Sequence, residues 1–382
     1  MDKNTLFSSF GKWLAPICTK TFTDRVNEIN QDKYVKKQTT LAYFKLFLLA
    51  ELKGRDGLRD IANDVLSLEI QRELNLPSIS AAQLSRKHNQ VDPALLEQVF
   101  TRLVKQIHSR ANPHRSRNKL KIIDSTTIVL CLQKFKWAHF RSTKAGIKLH
   151  SRIAYWDDED VYPDQVKVTP AKVNDRNLLE ELADEEGVTY VFDRGYVDYA
   201  AYDRFCMNQI FFVTRLKNNA VIESLHTYDL PPNSTVSLDE KIRVGTQQKR
   251  MKHPLRMVQT VDSEGNLLFL LTNRFDLTAD EIGEMYRSRW AIETFFKWMK
   301  QHIKIKTFYG TSENAVMNQV WMALIAYCLL ALVKQETNTK HSLLEISRIL
   351  KVLLWRSCRE WFDLMNRPPS RKSAGRKKKE IP

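Results

Sequence analysis

The spacing of apolar residues changes character near residue 112, and that change limits the chain to a mixed α/β core preceded by helices. Up to about Ile107, apolar side chains recur every three or four residues, as in Leu41, Phe44, Leu48 and Leu49, which is the period of amphipathic helices. Residues 112–118 then form a basic linker, and strand-like runs follow at 120–132, 147–156 and 165–169. A helix over 175–186, a short strand ending at Asp193, a helix over 198–208 and a strand over 210–215 alternate after that. Strands interleaved with helices predict an α/β fold. Residues 217–266 carry turn signals between short β-like stretches and read as an inserted β subdomain. A strand at 267–272, one long helical pattern over 278–304 and two helices near 314–337 and 341–358 complete the expectation.

Charge narrows the class of partner. The chain carries a net charge of +16, and residues 101–152 hold 13 Lys or Arg against one acid, Asp124. Such a balance suits a polyanion, because neutralised phosphates release their counterions. The tail from Arg367 is basic as well and reads as a phosphate-binding arm or a solubilising end. Five scattered cysteines form no C-x-x-C pair, so neither a disulfide framework nor a zinc site is expected. The apolar run of 13 residues from Trp321 to Val333 is short of the roughly 20 that a spanning helix needs, and no signal peptide is evident. The expectation is an intracellular protein with no membrane partner.

Within the helical region, residues 58–66 and a helix opening at Ser80 read as a candidate helix-turn-helix. Gln83, Arg86 and Lys87 on its second helix are the candidate DNA readers.

Two acids stand where burial makes them expensive. Asp124 follows Ile122-Ile123, and Asp193 follows Val191-Phe192 and precedes Gly195. An ionised carboxylate at the end of an apolar strand is costly unless a cation offsets it, and open α/β sheets bind ligands at the carboxyl ends of strands. Either acid alone could simply cap the next helix. The third element is helical: at 100° per residue, Tyr286, Arg289, Glu293 and Lys300 fall at about 0°, 300°, 340° and 320°, one stripe. Ile292, Phe295, Phe296 and Met299 lie beside it and should pack on a sheet. A plain i,i+4 ladder between Arg289 and Glu293 is the bland alternative, which the surrounding aromatic residues disfavour.

This pattern resembles the DDE transposases of the insertion-sequence-four type, whose signature is Tyr, two residues, Arg, three residues, Glu, six residues, Lys. Tyr286, Arg289, Glu293 and Lys300 match it in identity and spacing. Lys148-Leu149-His150 resembles the strand after the first acid, and Asp193-Arg194-Gly195-Tyr196 the second-acid turn. The resemblance covers residues 118–330 and implies a ribonuclease H-like catalytic core with a β insertion between its second and third acids. Residues 1–112 then form a helical DNA-binding region, and residues 331–382 form C-terminal helices and a basic tail. It further implies that Asp124, Asp193 and Glu293 are catalytic and hold two Mg²⁺ ions, with Mn²⁺ as a substitute. Arg289, Lys300, Tyr286 and Trp290 would contact DNA. Cut-and-paste transposition through a hairpin, a homodimer on paired transposon ends, target DNA as second substrate and a bacterial cytoplasmic setting are implied too. One departure is that no Trp occurs between Trp156 and Trp290, so the holder of a flipped base is unassigned, with Tyr228 and Phe269 as candidates. A metal-dependent nuclease without joining, or a DNA-binding protein without catalysis, are the competing readings.

Overall fold

The computed structural model describes residues 8–110, 120–155, 161–248, 250–262, 264–302 and 308–367, the side chains of Gln301 and His302 excepted. The basic linker at 112–118 and the tail beyond Arg367 lie outside the described residues. Two compact units are present: residues 1–110 with 320–382, and residues 111–319.

The first unit begins with α1 (Ser9–Leu14), α2 (Thr19–Glu28), α3 (Thr40–Lys53), α4 (Leu58–Asp64), α5 (Leu68–Leu74), α6 (Ala81–Gln90) and α7 (Pro93–Arg110). Thr39 caps the start of α3, and Gly54, in the left-handed conformation at φ 68°, ends it. Ten of the 14 residues of α3 are buried, as expected of a largely apolar helix inside the unit. Ser80 caps α6 through a capping box with Gln83, as its sequence predicts. The expected helix-turn-helix is not formed as such: α4 and α6 do pack together, but α5 stands between them in the chain. A Ser-Leu-Glu start at Ser67 and a left-handed Asn75 give α5 its own ends.

The second unit is built on one ten-stranded sheet. Its strands are β1 (Leu120–Leu130), β2 (His139–Arg141), β3 (Lys144–Tyr155), β4 (Val161–Pro170), β5 (Thr189–Phe192) and β6 (Phe211–Arg215), followed by β7 (Ile222–Thr227), β8 (Leu238–Val244), β9 (Leu255–Val261) and β10 (Leu267–Thr272). The core reads β4-β3-β1-β5-β6, with β3 antiparallel to β4 and β1, and β5 parallel to both β1 and β6. Three antiparallel strands followed by two parallel ones make a ribonuclease H-like core. The insertion is not a separate sheet, however. β10 pairs with β6 and carries β9, β8 and β7 outward, so the insertion extends the central sheet. Burial explains why: Ile242, Val244, Leu255 and Met257 share one core with Phe192, Tyr202, Phe205 and Phe212.

Helices α8 (Leu179–Leu182), α9 (Tyr199–Met207), α10 (Ala279–Arg287) and α11 (Trp290–His302) complete this unit. The helix expected over 175–186 shrinks to a 3₁₀ turn, Asp175–Leu178, and the short α8. The single helix expected over 278–304 is two, broken at Ser288 and Arg289. Ser288 Oγ donates to Met285 O at 2.6 Å, and Arg289 and Ala291 N–H bond three residues back instead of four.

The chain returns to the first unit within α12 (Glu313–Thr337), followed by α13 (Leu343–Leu353) and α14 (Cys358–Met365). The C-terminal helices therefore do not stand alone as the sequence suggested. Trp321 meets Phe100 with ring centroids 5.4 Å apart, Trp355 meets Phe10 at 5.3 Å, and Ser8 bridges to Ser357. α12 is long and apolar enough to cross a membrane by length and composition, and 94% of that apolar stretch is buried inside the protein. The 13-residue run understates this helix because polar Asn318, Gln319 and Lys334 interrupt or flank it.

Candidate active site

The parallel pairing of β1 with β5 sets Ile123 beside Phe192, so the residues that follow stand side by side, Asp193 just past the end of β5 and Asp124 within β1, which runs on to Leu130 and pairs Asp124 with Ser151 of β3. Adjacent strands lie about 4.8 Å apart, and two carboxylates held at such spacing repel one another. Asp124 Oδ1 accepts the Ser125 N–H at 2.7 Å. Asp193 caps the 3₁₀ turn Arg194–Tyr196, its Oδ1 accepting the Gly195 N–H at 2.7 Å. A Cβ at Gly195 would lie 2.8 Å from that oxygen, so only glycine leaves the Asp193 carboxylate in its seat.

Helix α11 packs on β1 and β4 through Ile292, Phe295, Phe296 and Met299, all buried as the sequence predicts. This brings Glu293, in its first turn, towards Asp124. Arg289 spans the acids: Nη2 donates to Glu293 Oε1 at 2.7 Å, and Nη1 lies 3.6 Å from Asp124 Oδ2. The i,i+4 pair is thus real but is part of the site, since the same guanidinium faces Asp124. Burial pushes the Asp124 carboxyl up to about 6; the Ser125 N–H and Arg289 pull it down, while Asp193 and Glu293 push it further up.

A hard divalent cation fits this donor set, which is carboxylate throughout and includes one acid that burial and two like charges hold away from ionisation. Among the described residues the acids do not close into a finished cage of three; Arg289 holds two of them meanwhile.

Tyr286 is buried at the end of α10, with its hydroxyl raised above the ordinary phenol range by burial while the charges of Arg289 and Arg215 lower it. Tyr286, Arg289 and Trp290 line a cavity of about 580 Å³ together with Arg215, Thr260 and Leu268. Trp290 is 63% exposed there, free to stack on a ring. Neither Tyr228 nor Phe269 lines this cavity. Lys300 is exposed on α11, about two turns beyond Glu293. The structure thus brings Asp124, Asp193, Glu293, Arg289 and Tyr286 together and leaves Lys300 at the rim. Arg215, at the carboxyl end of β6, was missed; its place at a strand end was the available signal.

The three candidate DNA readers of the first unit separate. Arg86 is exposed. Gln83 spends its Oε1 on the Ser80 N–H, at 3.0 Å, in the capping box. Lys87, expected to reach DNA, is instead buried and donates to Asp32 Oδ1 at 2.6 Å. It shares the inner face of α6 with Leu84 and His88, so helical spacing turned it inward.

The family model described as Transposase DDE domain matches residues 115–329, more than half of the chain. The chain belongs to the DDE transposases. It is 31% identical over 280 residues to the probable transposase for insertion sequence element IS5377 of Geobacillus stearothermophilus, covering 72% of this chain and 73% of that one. It is 34% identical over 242 residues to the putative transposase y4zB of Sinorhizobium fredii, covering 62% and 67%. Among solved structures, a chain of the piggyBac transposase synaptic complex with hairpin DNA aligns at TM-score 0.44 and 10% identity, covering 96% of this chain and 82% of that one. Residues 5–71 of the transposase match a domain of unknown function.

Proposed function

We propose that this transposase is a cut-and-paste enzyme of the insertion-sequence-four type, which binds transposon ends, cleaves them and joins them to target DNA at the site of Asp124, Asp193 and Glu293. The observation that carries the reading is the convergence of these acids from β1, β5 and α11, with Arg289 reaching two of them. The spacing of Tyr286, Arg289, Glu293 and Lys300 supports the finer assignment.

The three carboxylates would hold two Mg²⁺ ions, or Mn²⁺, which when bound supply charge stabilisation for an in-line phosphoryl displacement. Arg289 and Arg215 present guanidinium groups suited to the phosphates beside the scissile bond. Tyr286 orients Arg289, and Lys300 takes a phosphate further along the strand. Trp290 offers its exposed face to an unpaired base. Successive attacks by water and by the freed 3′-hydroxyl on the opposite strand give a hairpin, which is reopened and joined to the target. Two protomers pair two ends, in the bacterial nucleoid.

The test uses DNA taken from the borders of the coding region. Incubation with Mg²⁺ should yield ends that migrate as hairpins under denaturing conditions, and pre-cut ends should be joined to a plasmid. Cleavage without joining of pre-cut ends would show a nuclease instead.

A further inference from the structure

We propose that Asp175 is a positioning residue of the active site, the point to which the segments carrying Asp124 and Asp193 are both tied. Ser125 follows Asp124 on β1, so its side chain leaves the opposite face of the sheet. Its N–H holds Asp124 Oδ1, and its Oγ donates to Asp175 Oδ1 at 2.7 Å. On β3, His150 stands opposite Ser125 in register and brings Nδ1 to 3.4 Å from the same oxygen. His150 is fully buried, its Nε2 2.9 Å from Thr169 Oγ1. Lys148 Nζ lies 3.1 Å from Asp175 Oδ1 and donates to Val173 O at 3.0 Å.

The other tie runs through the turn. The 3₁₀ segment that begins at Asp175 packs on the 3₁₀ segment Arg194–Tyr196, whose cap is Asp193. Tyr196, buried in that second segment, has its phenol raised by burial and by the charges of Asp175, Asp124 and Asp193, while Ser125 lowers it. One carboxylate therefore gathers Ser125, Lys148 and His150 beneath Asp124 and abuts the Asp193 turn. Although burial opposes ionisation, the close His150 ring, the Ser125 hydroxyl and the Lys148 ammonium hold Asp175 down at about 2, so it is a fixed negative anchor. Asp124 and Asp193 repel each other, and directional bonds to their supports keep them at a set separation.

This inference rests on Asp124 and Asp193 being cation ligands. In the full chain, Asp175→Asn keeps the shape and removes the charge, and Ser125→Ala removes one bond with little risk to folding. Mn²⁺ affinity, read by the spin-resonance signal of free Mn²⁺, should fall about five-fold or more in both. The Mg²⁺ half-saturation of cleavage should rise by a similar factor, with excess Mg²⁺ recovering most of the lost rate. Unchanged Mn²⁺ affinity and half-saturation in both variants, whatever their thermal midpoints, would overturn the proposal and leave Asp175 a fold-holding ion pair. Wild-type protein that fails to bind Mn²⁺ would overturn instead the reading beneath it.

Discussion

Asp124 is the residue at which the energetics of the site are most exposed. Its folded carboxyl takes up a proton near pH 6, against an ordinary value of 3.8. Between those values the folded state binds more protons than the unfolded one, so this group's contribution to stability is present at low pH and is lost as pH rises through about 6. Above that, ionised Asp124 is a cost that a divalent cation offsets. Mg²⁺ should therefore raise the thermal midpoint more at about pH 8 than at about pH 5. Equal shifts at both would contradict the role given to Asp124. The acids themselves were legible in the sequence, because a carboxylate directly after a run of apolar strand residues is conspicuous. Asp175 was not: a single acid at the start of a short 3₁₀ turn carries no spacing, and only the fold brings it to Ser125.

At the scale of elements, the break between α10 and α11 is the feature that sequence periodicity conceals. The apolar pattern continues across it, since Ile282, Met285, Ile292 and Phe295 are all buried. Yet the Ser288 side chain bonds back to Met285 and tightens the backbone, setting Arg289 between Asp124 and Glu293. Ser288→Ala removes that bond, a net loss of about 1 kcal/mol, and lets the helix run on. Cleavage should fall about ten-fold, which corresponds to a barrier about 1.4 kcal/mol higher, with only a small change in thermal midpoint. A wild-type rate would show that the break has no part in placing Arg289. Lys87 is read the same way: helical spacing sets it on the inner face of α6 with Leu84 and His88, where half-buried Asp32 accepts its charge.

For the whole molecule, the α/β class and the acids were readable, while sheet order and long-range closure were not. Nothing local in residues 320–365 announces that they complete a core begun by residues 8–110, yet Trp321 and Trp355 pack on Phe100 and Phe10. Residues 1–112 expressed alone would expose those aromatic faces. That fragment should lack a cooperative thermal transition, whereas adding residues 320–367 through a linker should restore one; a sharp transition in the fragment would contradict the division. Similarly, the insertion looked separate because its turns are local, but its strands share a core with Phe192 and Phe212.

The most direct test of the account is to compare Asp124→Ala, Asp193→Ala and Glu293→Ala with wild type on terminal-repeat DNA, scoring mobility shift and Mg²⁺-dependent cleavage on the same preparations. All three variants should bind DNA about as well as wild type and should neither nick it nor join pre-cut ends. Mg²⁺-dependent cleavage retained by any one of them would contradict the assignment of these carboxylates as the catalytic site.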